Sequence, residues 1–211
     1  MKTRKSIQGF SLIELMIAVA LLAIFLVMAS PSIRTYLENS KVKNVAESIE
    51  SGMQKARFNA INHNHLTQFV MTARSGAGNN DEWIIREQIP PTPPNINPTA
   101  QEVETFVWGS GGSNWTTVNA PARDSGNGAA NAVTFDGMGK IVSNTNWTAP
   151  TTATTGPAAS ANRIAQVQVS SSTGMTEVAQ MNVNVGVRGI RVCSPSLPTT
   201  DPKYCNAATI E

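Results

Sequence analysis

The most prominent pattern in the chain is a long apolar stretch near its N-terminus. The 21 positions of residues 10–30 contain one charged side chain, that of Glu14. A helix of this length rises about 31 Å, which is enough to cross the hydrocarbon core of a bilayer. The pattern therefore predicts a transmembrane helix over residues 10–30. The basic residues Lys2, Arg4 and Lys5 before it predict that the N-terminus stays in the cytoplasm.

After the apolar stretch, apolar residues recur in steps of three and four. This spacing is typical of a helix that buries one stripe, and it predicts an amphipathic helix over residues 31–62. Pro31 removes a backbone hydrogen bond and predicts a kink or local melting of the helix over residues 27–31. The buried stripe is predicted to consist of Val42, Val45, Ile49, Met53, Ala56 and Ala60.

Residues 63–211 carry short runs of β character between turn-rich segments, which predicts a β-rich globular domain. The turn sequence Asp136-Gly-Met-Gly139 lies between two such runs and predicts a hairpin. Residues 146–161 are rich in Thr, Ala, Gly and Pro and predict a long loop. The predicted strands are residues 66–72, 82–88, 104–108, 133–135, 140–142, 163–171, 177–187 and 189–193, with the last two forming either one bent strand or a pair.

Composition limits the classes of function. Charged residues make up 14% of the chain and the net charge is +2, so the sequence predicts neither a bulk basic surface for nucleic acid nor an acidic tail. Thr, Ser, Asn and Gly dominate the second half, which suits loops and strands of a surface-exposed domain. The part beyond the helix, about 150 residues, is sufficient for one compact domain.

Glu14 is the first candidate functional residue. An ionised carboxylate in hydrocarbon costs about 2.5–3.5 kcal/mol by insertion scales, so it is expected to have a function and a positively charged partner. If a peptidase cut between Gly9 and Phe10, the new α-amine of Phe10 would lie one helical turn before Glu14, within reach of a neighbouring copy. A secretory signal cut after Ala29 is the alternative, but its apolar core is usually shorter and has no reason to contain Glu14.

The N-terminal residues resemble the class III signal of type IV pilins and type II secretion pseudopilins. The shared features are a short basic leader (residues 1–9) that ends in Gly9, then Phe10-Ser-Leu-Ile-Glu14-Leu, and a long apolar helix. This resemblance implies that a prepilin peptidase cleaves after Gly9 and N-methylates Phe10, and that Glu14 is the assembly carboxylate. It further implies a single-pass inner-membrane protein with a periplasmic C-terminal domain, which later enters a pilus or pseudopilus. Its partners would be the lipid bilayer, the inner-membrane assembly platform, and other pilins or pseudopilins in a filament tip complex.

Later segments are similar to the GspH/FimT type of minor pilin and pseudopilin. They are residues 54–60 at the helix end, residues 133–139 at the predicted turn, and Arg188-Gly-Ile-Arg191-Val-Cys193 in a late strand. The implied fold is α+β and pilin-like: a long N-terminal α-helix, its first half transmembrane, packs on an antiparallel β-sheet over residues 63–211. Packing the predicted stripe under the sheet would bury the apolar faces of both.

Cys193 and Cys205 are the two cysteines of the chain. In an exported protein an even number favours a disulfide, and two free thiols are the alternative. The segment between them contains three prolines and little apolar material, so a cross-link would supply its order.

The sequence contains no recognisable catalytic constellation. Its serines lack a Gly-x-Ser-x-Gly setting, and no phosphate-binding glycine loop opens a helix, so we expect neither enzyme activity nor a cofactor. His63 and His65 lack an adjacent Cys or carboxylate cluster. We therefore expect no metal site and interpret both as exposed polar residues at the C-terminal end of the helix.

Three functional hypotheses follow. The first is a minor type IV pilin that helps to initiate or cap the pilus fibre, and the second is an H-type minor pseudopilin of a type II secretion system. The third is a DNA-binding minor pilin for DNA uptake, because some similar proteins use a Gly-Arg-x-Arg motif near the C-terminal strand. The corresponding Gly186-Val-Arg188-Gly-Ile-Arg191 breaks that spacing, but Arg188 and Arg191 remain candidate contacts to DNA phosphates.

Overall fold

The computed structural model describes residues 11–72, 82–90, 99–107, 118–125, 128–147, 162–173, 177–186 and 189–205. Its helices are α1 (Leu12–His63) and the short 3-10 helix η1 (Asn144–Asn146). The strands are β1 (Thr67–Thr72), β2 (Glu82–Ile89), β3 (Thr99–Val107), β4 (Val118–Asn119), β5 (Ala122–Arg123), β6 (Ala132–Phe135), β7 (Ile141–Val142), β8 (Gln166–Ser171), β9 (Met181–Gly186) and β10 (Gly189–Cys193).

The second half of α1 packs on the β-structure through the predicted stripe. All six stripe residues, from Val42 to Ala60, are fully buried. Gly52 is buried as well, and a Cβ atom there would lie 2.9 Å from ring carbons of both Phe69 and Trp83. The absence of a side chain at Gly52 therefore sets how closely the helix approaches these two rings.

The end of α1 is fixed by a turn from the first sheet. Asn64 follows the helix in the left-handed conformation, with φ of 54°, a common way to terminate a helix. Gly137 lies so close that a Cβ atom there would be 3.0 Å from Asn64 Cα. In the same β6–β7 turn, Asp136 Oδ1 accepts hydrogen bonds from the backbone N–H groups of Met138 (2.9 Å) and Lys140 (2.8 Å), which confirms the predicted hairpin.

The first antiparallel sheet has the strand order β3-β2-β1-β6-β7. Phe69 of the central strand β1 pairs with Ile85 of β2 and Val133 of β6, and these side chains contribute to the core that contains the α1 stripe. The residue before Phe69 in β1, Gln68, is polar and buried, and its Nε2 donates to Oγ1 of the buried Thr134 in β6 at 3.0 Å. Because side chains alternate along a strand, this polar pair lies on the other face of the sheet.

The second antiparallel sheet has the order β10-β9-β8-β4, with β5 also pairing with β8. β4 and β5 pair with opposite ends of β8, and Pro121 separates them. Proline has no N–H to donate, so it interrupts the edge at this point, while its carbonyl oxygen accepts from the Gln168 N–H at 3.0 Å. Val167, Val169, Val183 and Val185 of β8 and β9 are fully buried and join the same core as the α1 stripe.

The chain divides into two compact units, Met1–Leu37 and Glu38–Glu211. Helix α1 continues without a break through position 31, so the local melting predicted there is not observed. Among the residues that the structure describes, no helix combines the length and the hydropathy that crossing a membrane requires.

The α+β fold is confirmed, with differences in detail from the sequence prediction. The strands form two sheets rather than one, and the final two predicted strands are the β9–β10 hairpin of the second sheet. β3 begins at Thr99 instead of residue 104; its residues are largely exposed and polar, so this edge strand has no alternating apolar signal. The predicted loop over residues 146–161 lies outside the described residues after Trp147.

Strand β8 starts later than predicted, at Gln166 rather than residue 163. The N–H groups of Ile164 and Ala165 donate to the carbonyl oxygens of Ala132 and Arg123, each at 2.8 Å. These bonds tie the segment to two different elements before the ladder with β9 begins. The short strands β4 and β5 were not predicted, because two-residue strands carry no readable period.

Candidate functional site

Glu14 lies in the first turn of α1 with its side chain exposed. The backbone N–H of Leu15, the next residue, donates to the carbonyl oxygen of Ser11 at 3.2 Å, a bond of the first helical turn. A negative charge in the first turn is favoured by the helix dipole. Gly9 and Phe10, the predicted cleavage and methylation residues, lie outside the described residues, so their roles stay predictions.

The helix around Glu14 exposes apolar side chains on every side. The exposed fraction is at least 52% for each of eleven large apolar residues. Because successive residues of a helix are rotated by about 100°, such a continuous run leaves no polar face. A helix of this kind requires an apolar environment, either lipid or other apolar helices. The eleven residues are Leu12, Ile13, Leu15, Met16, Ile17, Val19, Leu21, Leu22, Ile24, Phe25 and Leu26.

Cys193 and Cys205 form a disulfide, as the even cysteine count favoured, with 5.0 Å between their Cα atoms. It closes a loop at the end of β10. The Ser194 N–H donates to the carbonyl oxygen of Lys203 at 2.8 Å, and the Tyr204 N–H donates to that of Asp201 at 3.0 Å. The cross-link therefore holds an ordered loop against the end of the second sheet.

Of the two candidate contacts to DNA, Arg188 and Arg191, only Arg191 lies among the described residues. Arg191 is exposed on the edge strand β10, opposite Asn184 of β9. Arg188 lies outside the described residues, so whether the two guanidinium groups face the same side is untested. DNA binding through them stays a prediction.

The structure places His63 and His65 around one carboxylate, which the sequence analysis missed. Glu87 of β2 is 7% exposed. Its Oε1 is 2.9 Å from His63 Nδ1 and 2.7 Å from His65 Nδ1, and its Oε2 accepts from Asn59 Nδ2 at 3.2 Å. His63 is exposed as expected, with 53% of its side chain accessible, but the expectation was wrong for His65, whose side chain is only 27% exposed. No local pattern could reveal this cluster, because β2 lies more than 20 residues farther along the chain.

The environment of Glu87 favours its ionised form. Burial by itself would raise the pKa of Glu87. The hydrogen bonds from His63, His65 and Asn59, together with the charge on His63, outweigh burial and lower the pKa below its ordinary value of 4.5. The cluster therefore ties the C-terminal end of α1 to β2 while the carboxylate is ionised.

Metal binding finds no support in the described part of the chain. There, no group of three or more His, Cys, Asp or Glu side chains is placed to hold a metal ion. The ring nitrogens of His63 and His65 face Glu87 at hydrogen-bonding distance. We interpret this cluster as a structural tie.

Comparison with known families gives two matches. Residues 4–30 match the family model described as the prokaryotic N-terminal methylation motif, which covers Gly9, Phe10 and Glu14. Residues 45–173, more than half of the chain, match the model described as type II transport protein GspH. Neither the curated proteins nor the solved structures include a match to the chain.

Proposed function

Because the chain belongs to the family of type II transport protein GspH, whose members are pilin-like, we propose that it is a minor subunit of a type IV pilus. In this proposal a prepilin peptidase removes residues 1–9 and methylates Phe10. Residues 10–30 then anchor the subunit in the inner membrane, with the domain from residue 63 onward in the periplasm. From there the subunit helps to initiate or cap the fibre.

The observation that carries the proposal is the large exposed apolar surface of the first half of α1. Its large side chains from Leu12 to Leu26 are more than half exposed. Burying such side chains is worth about 1.5–3 kcal/mol each, so leaving them in water would be strongly unfavourable. A bilayer before assembly and a bundle of like helices after assembly both provide the required environment.

Glu14 explains how one helix could serve in both environments. In lipid, an unpaired carboxylate has no compensating charge. In a filament, the α-amine of Phe10 in a neighbouring protomer would supply that charge. The cost of keeping Glu14 in the membrane thus becomes a driving force for assembly, and the match of residues 4–30 to the N-terminal methylation motif supports the role.

A second candidate is the minor pseudopilin of a type II secretion system. The description of the matching family as a type II transport protein favours it. Both candidates use the same anchor, the same processing and the same contact through Glu14. They differ in the filament that receives the subunit.

Two measurements on the native organism test the proposal. Mass spectrometry of the chain recovered from sheared pili should give an N-terminus at Phe10 carrying one methyl group, with few copies per fibre. Deleting the gene should reduce the number of pili and leave protein secretion intact. Normal piliation with lost secretion would select the pseudopilus, and a mature chain that starts at Ser30 or retains residues 1–9 would refute both candidates.

A further inference from the structure

The C-terminal end of α1 and the two β-hairpins nearest to it enclose a cleft with positive charge. Two adjoining cavities of ≈ 400 and ≈ 330 Å³ share Arg57, Gly189 and Ile190 in their walls. Volumes of this size accommodate a few side chains or a small ligand. The cleft lies entirely within the unit Glu38–Glu211.

The charged part of the cleft carries cations from three separate elements. Arg57 comes from α1, Lys140 from the β6–β7 turn and Arg163 from the segment before β8, and none of the described lining residues is acidic. In the described part of the chain, none of these three side chains takes part in a salt bridge, whereas Lys41, Lys43 and Lys55 do. The three cations of the cleft therefore remain available for an anionic partner.

Two carboxylates of neighbouring elements already have hydrogen-bond partners. Asp136 belongs to the same hairpin as Lys140, but its Oδ1 accepts hydrogen bonds from the backbone N–H groups of Met138 and Lys140. Glu87 is bonded to His63 and His65. Charge complementarity thus points to a carboxylate or another anion supplied from outside this unit.

Apart from Gln54, the remaining described residues that line the cleft are apolar or glycine. Ile61 and Ile190 contribute to the walls of the larger cavity. Phe58, which lines the same cavity, is 61% exposed, and Met138 at the tip of the hairpin is 74% exposed. Exposed aromatic and methionine side chains beside arginine are enriched at protein–protein contacts. A nucleic acid backbone would use the cations but would gain little from this apolar rim.

Two sheet edges border the cleft. Ile141 begins β7 and Ile190 lies in β10, and in the described strand order each strand is the last of its sheet. An edge strand presents unpaired backbone groups that can bind an extended segment. The space beside Gly189 is open, because a Cβ atom there would meet no atom within 4 Å.

We propose that this cleft docks an extended segment of another filament subunit, which places an apolar side chain beside Phe58 and Ile61 and a carboxylate among Arg57, Lys140 and Arg163. The inference rests on the proposed function, because it takes the partner to be a pilin or pseudopilin. It adds a contact in the globular domain, remote in sequence from Glu14.

Photo-crosslinking in the native organism tests the docking site on the full chain. A photoreactive amino acid replaces Phe58 at the rim, and in a second strain it replaces Val103, an exposed residue on the edge strand β3, as a control. The amount of the chain in sheared filaments is measured in parallel. The expected result is a crosslink from position 58 to a pilin-type subunit, in a peptide that contains an acidic residue next to an apolar one.

Charge variants then locate the contact. Lys140→Glu and Arg57→Glu change exposed side chains and should lower the crosslink yield roughly tenfold, while Arg57→Lys should keep most of it. Arg191→Glu reverses an exposed charge at the position after Ile190 in β10 and should leave the crosslink yield unchanged.

Several results would overturn the inference. The first is a crosslink to nucleic acid or lipid alone, and the second is a crosslinked peptide without an acidic residue. The third is an equal loss of crosslink yield in Arg57→Glu and Arg191→Glu. The fourth is the absence of any crosslink from a chain that enters filaments normally. A chain absent from filaments would refute the proposed function, and the inference would fall with it; the filament measurement separates that case from the others.

Discussion

Gly52 of α1 and Trp83 of β2 are in such close contact that a Cβ atom at position 52 would lie 2.9 Å from the indole carbon Cε2. The indole also stacks on Phe106 of β3, with ring centroids 5.4 Å apart, and its Nε1 donates to Ser48 Oγ at 3.1 Å. Trp83 therefore links α1 to two strands of the first sheet. The helix can lie this close because position 52 has no side chain.

This contact predicts that Gly52→Ala destabilises the globular unit. Alanine favours a helix by about 1 kcal/mol over glycine, but the added methyl group overlaps Phe69 and Trp83, and overpacking of this kind costs about 1–3 kcal/mol. We expect a net decrease in the free energy of unfolding, measured by urea denaturation of the protein in detergent. Ser51→Ala, at the adjacent exposed position, is the matched control and should not decrease it. Equal or greater stability of Gly52→Ala would contradict the packing described here.

The Glu87 cluster predicts a pH-dependent contribution to stability. The pKa of Glu87 is lower in the folded protein than its ordinary value of 4.5, so the unfolded state binds the proton more readily. The contribution is complete above pH 4.5 and is lost as the pH falls through the folded-state pKa. We expect Glu87→Gln to lower the free energy of unfolding at pH 7 by about 1–3 kcal/mol.

The difference between wild type and Glu87→Gln should shrink as the pH falls below 4.5, and unfolding curves over that range measure it. Glu47→Gln changes an exposed carboxylate of helix α1, whose side chain is 54% accessible, and should shift the free energy of unfolding by less than about 1 kcal/mol. A Glu87→Gln effect that is constant from pH 7 to pH 3 would show that ionisation of Glu87 is unimportant.

The disulfide between Cys193 and Cys205 predicts sensitivity to reductant. It links residues 12 positions apart, and closing a loop of this size stabilises by about 3 kcal/mol in the chain-entropy model. Thermal unfolding should therefore occur at a lower temperature in the presence of reductant. The double variant Cys193→Ser/Cys205→Ser should unfold at the lower temperature with or without reductant. Identical unfolding of the wild type under both conditions would mean that the cross-link contributes nothing.

The DNA-binding hypothesis has its own test. If Arg188 and Arg191 contact phosphates, the purified protein should retard duplex DNA at low salt, with an affinity that falls steeply as salt increases. Changing either residue to alanine should then reduce the slope of log affinity against log salt concentration by about one, because one phosphate contact is lost. The absence of any retardation at low salt would eliminate DNA binding.

The sequence predictions were correct where a short local pattern determines the structure. The stripe from Val42 to Ala60 follows the helical repeat, and the whole stripe is buried. The hairpin around Asp136 follows from local turn chemistry, and β10 has the predicted bounds of residues 189–193. In each case the interactions that decide the structure lie within a few residues of one another.

Features that depend on distant partners were missed. The division into two sheets is set by which strands pair, and the alternation within a single strand does not specify its neighbour. His63, His65 and Glu87 meet only because the end of α1 packs against β2. The positive cleft likewise collects Arg57, Lys140 and Arg163 from three separate segments, so it is visible only in the fold.

We infer that Glu14 stays in an apolar helix because it meets the N-terminal amine of another protomer during assembly. The most direct test of this inference is the ratio of filament-bound to membrane-bound protein for Glu14→Ala, with Ser11→Ala as the control from the same turn. We expect normal membrane insertion for both variants and a large loss of filament incorporation for Glu14→Ala alone. Normal incorporation of Glu14→Ala would contradict it.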